Sequence, residues 1–366
     1  MLDNWLKPVP ESITLTAKAN YQLGNHIQIF LDQLPELRQT QIALIGVEDA
    51  EANAVRNALY QMSFPFSNLK VADLGNARKV DKTFIVPLLK ELLDSQIVPV
   101  ILSAEPGFLL AQYKAFQSLQ SHASLVAIDE RIRLDEKDKQ NEAQYLNEIL
   151  LSTRSRLYHL GIVGCQTHYT NPAAYQYLEK NNFDCIRLGS ARADIAETEP
   201  IIRDADLISF QIAALKQAEA PGQLAGTPTG FTAEEACQLC RYAGMSDKLK
   251  SFGIFGFQQG LDQNNQTAQV VAQMIWYFLE GYSTRKNDFP VSTEGLTEYI
   301  VDFKRMDYQL TFWKSQRSSR WWMQVPVKIG KKYNRHRLIP CSYNDYKLAC
   351  QDELPDRLLN AYKRFL

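Results

Sequence analysis

Short apolar runs alternate along the chain with longer stretches of helical period. The runs Gln41–Val47, Val98–Leu102, Leu125–Ile128, His159–Val163, Cys185–Leu188, Asp206–Phe210 and Phe252–Phe257 read as strands. They are brief and mostly apolar, as strands buried on both faces are. Between them, helical spacing recurs over Ala50–Met62, Lys82–Ser95, Phe108–Leu119, Pro172–Asn181 and Ala233–Ala243. A last helix, Thr267–Gly281, sets Val270, Val271, Met274, Ile275 and Phe278 on one face. This alternation predicts an α/β domain over residues 1–282, with three layers (α/β/α) around a mostly parallel, doubly wound sheet.

After that helix the pattern changes. The polar stretch Tyr282–Thr293 reads as a linker, and residues 290–366 as a C-terminal extension. Residues 301–340 hold 10 Lys/Arg, 2 Asp/Glu and seven aromatics. Strand patterns at Tyr299–Phe303, Tyr308–Trp313 and Arg320–Val327 predict a folded subdomain. The whole chain has a net charge of −1, from 40 Lys+Arg against 41 Asp+Glu. Removing residues 301–340 leaves 30 against 39, or −9. Near-neutrality therefore conceals an acidic body and a basic aromatic extension, which can attract each other within a chain or between subunits. Trp313, Arg320, Trp321 and Trp322 are candidate interface residues, because Trp and Arg are common anchors. Packing on the body, on another subunit or on a protein partner is favoured over nucleic acid, which the same mixture can also grip.

Composition adds exclusions. The 366 residues are 45% hydrophobic, and no apolar stretch approaches the ~18 residues of a membrane span. The N-terminus lacks the basic and apolar regions of a signal peptide, so a cytoplasmic protein is expected. Six scattered cysteines make no disulfide framework. Cys237 and Cys240 share a helix face with no second ligand pair, and read as core residues. Cys165 and Cys185 flank strands and read likewise. There is no P-loop, dinucleotide fingerprint, nucleophile elbow or HExxH.

Ligands of doubly wound sheets bind beyond the C-terminal strand ends. The residues leaving the strands are Ser103–Gly107 (SAEPG), Asp129–Arg133 (DERIR), Gln211–Lys216 (QIAALK) and Gly256–Gln259 (GFQQ). Ala72–Asn76 (ADLGN), Glu219–Gly222 (EAPG) and Gly226–Thr227–Pro228 provide further landmarks. In order and context these segments resemble the ureohydrolase family of arginase, agmatinase and formimidoylglutamase, over roughly residues 40–282. The resemblance implies an arginase-like fold that assembles as trimers or hexamers. It also implies two manganese ions held by two His and four Asp, with a bridging hydroxide attacking a guanidinium or formimino carbon. At the six ligand positions this chain has Pro106, Asp129, Arg131, Arg133, Gln211 and Ala213, and Gly256 replaces the substrate-orienting Glu. The usual glycine-rich loop after the first strand is also missing, since Val47-Glu48-Asp49 runs directly toward the helix bearing Arg56.

Proline and alanine offer no ligand atom, and arginine stays protonated. One carboxylate cannot hold a bridged pair of hard cations. No metal or other cofactor is therefore expected, although the family implies manganese. Arg131 and Arg133 share one face of an extended segment, so they are expected to fill the former metal pocket and pair with Asp129, Glu105 or Asp135. His168, following a strand on the same side, is a possible ligand contact. The leading reading is a catalytically inactive relative with a binding or scaffolding role. The alternative is an active, formimidoylglutamase-like amidinohydrolase with a rearranged metal site built from Asp129, Glu105, His168 and Asp135.

Overall fold

The computed structural model describes residues 2–119, 122–138, 144–153, 155–290, 292–304, 308–325 and 338–365. Among them, one sheet contains β1 (Leu6–Lys7), β2 (Gln28–Ile29), β3 (Ile42–Gly46), β4 (Val71–Ala77), β5 (Val98–Ser103), β6 (Ala123–Ile128), β7 (Leu157–Cys165), β8 (Asp184–Arg187), β9 (Leu207–Gln211) and β10 (Ser251–Phe255). The spatial order is β1-β4-β3-β5-β10-β9-β6-β7-β8, with β2 also on β4. Only β1 runs antiparallel to its neighbour.

Helices cover both faces. Asp49–Leu59, Ala233–Met245 and Gln266–Ser283 pack Val55, Leu239, Val271 and Phe278 into one core. Lys82–Asp94, Leu109–Gln117 and Pro172–Lys180 pack Leu88, Leu92, Phe116 and Leu178 into the other. This is the expected three-layer α/β/α arrangement. No described helix is long and apolar enough to cross a membrane.

The apolar pattern misses β4 because that strand buries polar side chains. Asp73 and Asn76 are inaccessible to solvent and need partners there. Arg56 supplies them. Its Nε and Nη2 each donate to the Asp73 carboxylate at 2.8 Å, and Nη2 also donates to Gly75 O at 2.8 Å. Other boundaries shift too. Leu188 begins a helix, Leu188–Ala193, and β10 stops at Phe255 because Gly256 turns the chain with φ +88°.

The extension forms an antiparallel sheet of β11 (Leu296–Phe303), β12 (Tyr308–Ser315), β13 (Trp321–Gln324) and β14 (Leu338–Cys341), in that order. Helices Tyr343–Cys350 and Asp356–Phe365 follow, and Phe312, Trp321, Met323, Ile339 and Leu358 form the core. Pro326 and Val327, expected in the third strand, lie outside the described residues, as do the basic positions 328–337.

This subdomain docks on its own body. Arg203 donates to the carbonyls of Trp321 (3.2 Å) and Cys341 (3.4 Å), pairs with Glu199 at 2.8 Å and lies 4.6 Å from the Trp322 ring. Arg320 approaches Glu199 (3.3 Å) and Asp288 (4.0 Å). Arg357 meets Glu197 at 3.6 Å, and Arg364 meets Asp184 at 3.4 Å. Opposite charges of extension and body are thus paired within one chain. Trp322 is buried against Arg203 in this contact, whereas Trp321 is buried in the extension's own core beside Tyr299 and Tyr346. Trp313 is half-buried opposite Trp322, its Nε1 donating to Gln324 Oε1 at 3.1 Å.

Candidate functional site

The chain leaves β5, crosses to β6, and returns later to insert β9 and β10 between them. This topological switch opens a crevice beyond the C-terminal ends of β5, β10, β9 and β6. A cavity of about 360 Å³ lies there, lined by Lys82, Glu105, Pro106, Arg133, Gln211, Ala213, Gly256 and Gln258 among others.

Short-range contacts set its walls. Glu48, leaving β3, accepts from Ser103 Oγ (3.0 Å) and Ala104 N (2.8 Å), which pins the loop after β5. Burial raises the Glu48 carboxyl above its usual range despite those bonds. Glu105 is exposed and lies 3.6 Å from Lys82. Gln258 Nε2 donates to Ala104 O at 2.9 Å. At the end of β9, Gln211 Nε2 donates to Ser209 Oγ (3.1 Å) and Pro106 O (3.3 Å), while its buried Oε1 has no hydrogen-bond partner among the described residues. Gly256 leaves room in the wall, because an added Cβ would meet nothing nearer than Gln211 Oε1 at 3.8 Å.

The loop after β6 carries the charged cluster. Asp129 is inaccessible to solvent. Its Oδ1 accepts from Glu130 N at 2.8 Å, and its Oδ2 accepts from the Tyr145 hydroxyl and from Arg133 Nε at 3.3 Å. Burial opposes ionisation of Asp129, but Arg133 and these hydrogen bonds outweigh it and hold the carboxyl below its ordinary range. Glu130 is equally buried; its Oε1 accepts from Arg131 Nε (2.7 Å) and Arg133 Nη2 (2.5 Å), and its Oε2 has no partner among the described residues. Burial, then the adjacent Asp129 charge, push the Glu130 carboxyl up to about 8. Burial likewise raises the Tyr145 hydroxyl, and Asp129 adds to the effect.

Of the expected pairings, Arg133 does meet Asp129. Arg131 does not reach Asp129, Glu105 or Asp135; its partner is Glu130. The reason is backbone geometry: residues 130–133 form no strand, so alternate positions do not stay on one face. Asp135 instead accepts from Lys137 N at 3.0 Å and serves a local turn. Arg131 lies 5.5 Å from the Tyr169 ring and does not line the cavity. His168 is exposed, its ring 4.2 Å from that of Tyr169. Sequence reasoning does not single out Glu130 or Tyr145. The carboxylate flanking Asp129 is a usable signal for Glu130; Tyr145, 16 residues away, gives none.

Manganese does not fit this donor set. Among the described residues no three His, Cys, Asp or Glu side chains converge to hold a metal ion. Of the six positions named above, only Asp129 has a carboxylate, and Tyr145 and Arg133 already engage its outer oxygen. A guanidinium beside that oxygen repels a cation.

The arginase family profile matches residues 46–280. The chain belongs to the arginase family. No curated protein matches it. Among solved structures it is similar to a Trypanosoma cruzi formiminoglutamase with Mn2+, at 15% identity and TM-score 0.62, covering 68% of this chain and 96% of that one. It is also similar to Bacillus subtilis formimidoylglutamase, at 19% identity and TM-score 0.62, covering 71% and 91%. For Bacillus cereus arginase the values are 14%, 0.53, 66% and 98%. These likenesses concern the fold. In this arginase-family chain a strand-end crevice is present, with an arginine–carboxylate cluster at one side of it.

Proposed function

We propose that this arginase-family protein does not hydrolyse amidines and acts instead as a binding or scaffolding protein, soluble in the cytoplasm and assembled from several copies. The observation that carries this reading is Arg133: its guanidinium stands at a position where the family resemblance requires a metal ligand, and it neutralises Asp129, the one carboxylate left in that set. The cavity beside it stays open at about 360 Å³, which supports a retained binding role. The alternative, a rearranged metal site, draws no support from the geometry. Glu105 faces Lys82, Asp135 serves its own turn, and His168 is exposed with its ring tilted against Tyr169.

The deciding experiment measures bound manganese, zinc and iron in the purified protein, together with urea and formamide release after manganese addition. Less than stoichiometric metal and no turnover on arginine, agmatine or formimidoylglutamate are expected. Stoichiometric metal with turnover would overturn the proposal.

A further inference from the structure

Away from the cavity, β7 and the edge strand β8 bring two thiols together. Cys165 Sγ and Cys185 Sγ lie 2.7 Å apart, not far beyond the ~2.05 Å of an S–S bond. A β-bulge produces this proximity. Pairing runs Ile162 to Cys185 and Val163 to Ile186, and then skips Gly164 so that Cys165 falls opposite Arg187. The skipped residue moves Cys165 onto the sheet face that carries Cys185. Gly164 takes φ +93°, and a Cβ there would strike the Phe231 ring at 2.5 Å, so the bulge is tied to glycine. Cys165 is fully buried and Cys185 half-buried. The Cys185 thiol, the Tyr175 hydroxyl (3.5 Å away) and Arg187 hold the Cys165 thiol below its usual range against the opposing effect of burial. The remaining buried thiols differ: burial raises Cys237 to about 12 and pushes Cys240 and Cys341 well up.

We infer that Cys165 and Cys185 form a modification site, at which a hydroperoxide closes a reversible intrachain disulfide. The bond to Cys165 and burial push the Cys185 thiol far up, so Cys185 holds the shared proton at rest; it is nonetheless the half-buried sulfur that a peroxide reaches, and it reacts as that proton is lost. Its thiolate attacks hydrogen peroxide, the O–O bond breaks, and Cys185 sulfenic acid and one water result once the thiol proton is transferred. Cys165 sulfur then displaces the hydroxyl, forming the S–S bond and releasing a second water with its own proton. Two thiols lose two electrons to one peroxide. The bond ties the edge strand to β7 beside Asp184, which receives Asn360 Nδ2 at 2.9 Å from the last helix.

This inference is independent of the proposed function. The test treats the full-length protein with hydrogen peroxide, blocks remaining thiols by alkylation, and maps tryptic peptides without reduction. Cleavage after Lys180 separates the two cysteines, so a disulfide joins two peptides with the loss of two hydrogens. That linked pair is expected, reversed by dithiothreitol, absent in Cys185→Ser and undiminished in Cys350→Ser. Full alkylation of both cysteines after denaturation, oxidation of Cys185 without linkage, or linkage to Cys350 instead would each overturn it. The peptide map of the unmodified sequence decides the matter even if Cys185→Ser folds poorly.

Discussion

Arg133 Nη2 lies 2.5 Å from Glu130 Oε1, while Nε of the same guanidinium reaches Asp129 at 3.3 Å. One cation thus serves two adjacent buried carboxylates. Arg133→Met would leave both without their shared partner and is expected to lower stability by about 3–5 kcal/mol. Arg131 is different, with 31% of its side chain exposed and only Glu130 as ion-pair partner among the described residues. Arg131→Met should cost under about 1 kcal/mol. Urea unfolding of the two variants measures the contrast; equal losses would contradict it.

The raised Glu130 carboxyl makes stability depend on pH. Below about 4.5, its ordinary value, the group is protonated whether the chain is folded or unfolded. Between there and about 8 the unfolded chain releases the proton while the folded one keeps it, so unfolding free energy falls as pH rises. Asp129 acts in the opposite direction at lower pH: its contribution is present above its ordinary value of 3.8 and is lost as pH falls through its lowered value. Glu130→Gln retains an oxygen for the arginines and removes the titration. Unfolding curves at about pH 5 and pH 8 should therefore differ less in the variant than in the parent.

Gly256 has φ +88° with open space around it. Gly256→Ala is expected to destabilise the protein by about 1–2 kcal/mol through backbone conformation alone. Calorimetry on the variant checks this; an unchanged melting temperature would show that the turn relaxes freely.

At the junction of body and extension, Arg203→Ala removes two carbonyl contacts, the Glu199 pair and the stack on Trp322. A loss of roughly 2–5 kcal/mol is expected for such a buried charged group. Faster proteolysis between the two sheets should accompany it, and unaltered cleavage would argue against Arg203 as the clasp.

The architecture was legible because parallel strands buried on both faces announce themselves as apolar runs, as Val98–Ser103 and Leu207–Gln211 do. β4 was not, since Asp73 and Asn76 break the run and their partner Arg56 lies on another element. At the site, Pro106, Arg133, Gln211, Ala213 and Gly256 could be read from the strand ends as neighbours, and they do line one cavity. Pairing could not: whether Arg131 meets Asp135 or Glu130 depends on a loop path that leaves no periodic trace. The 2.7 Å approach of Cys165 to Cys185 depends on a single skipped residue, Gly164, which periodicity alone does not locate.

The last helix also bears on how the chain matures. Asp184–Arg187 ends the main sheet, and a strand with one open side is a template for pairing with other chains. Asn360, which bonds Asp184, follows it by 176 residues. During synthesis the sheet margin therefore emerges long before the helix whose Asn360 and Arg364 bond to it. Truncation ahead of residue 356 should yield a body that collapses normally and then self-associates along that margin.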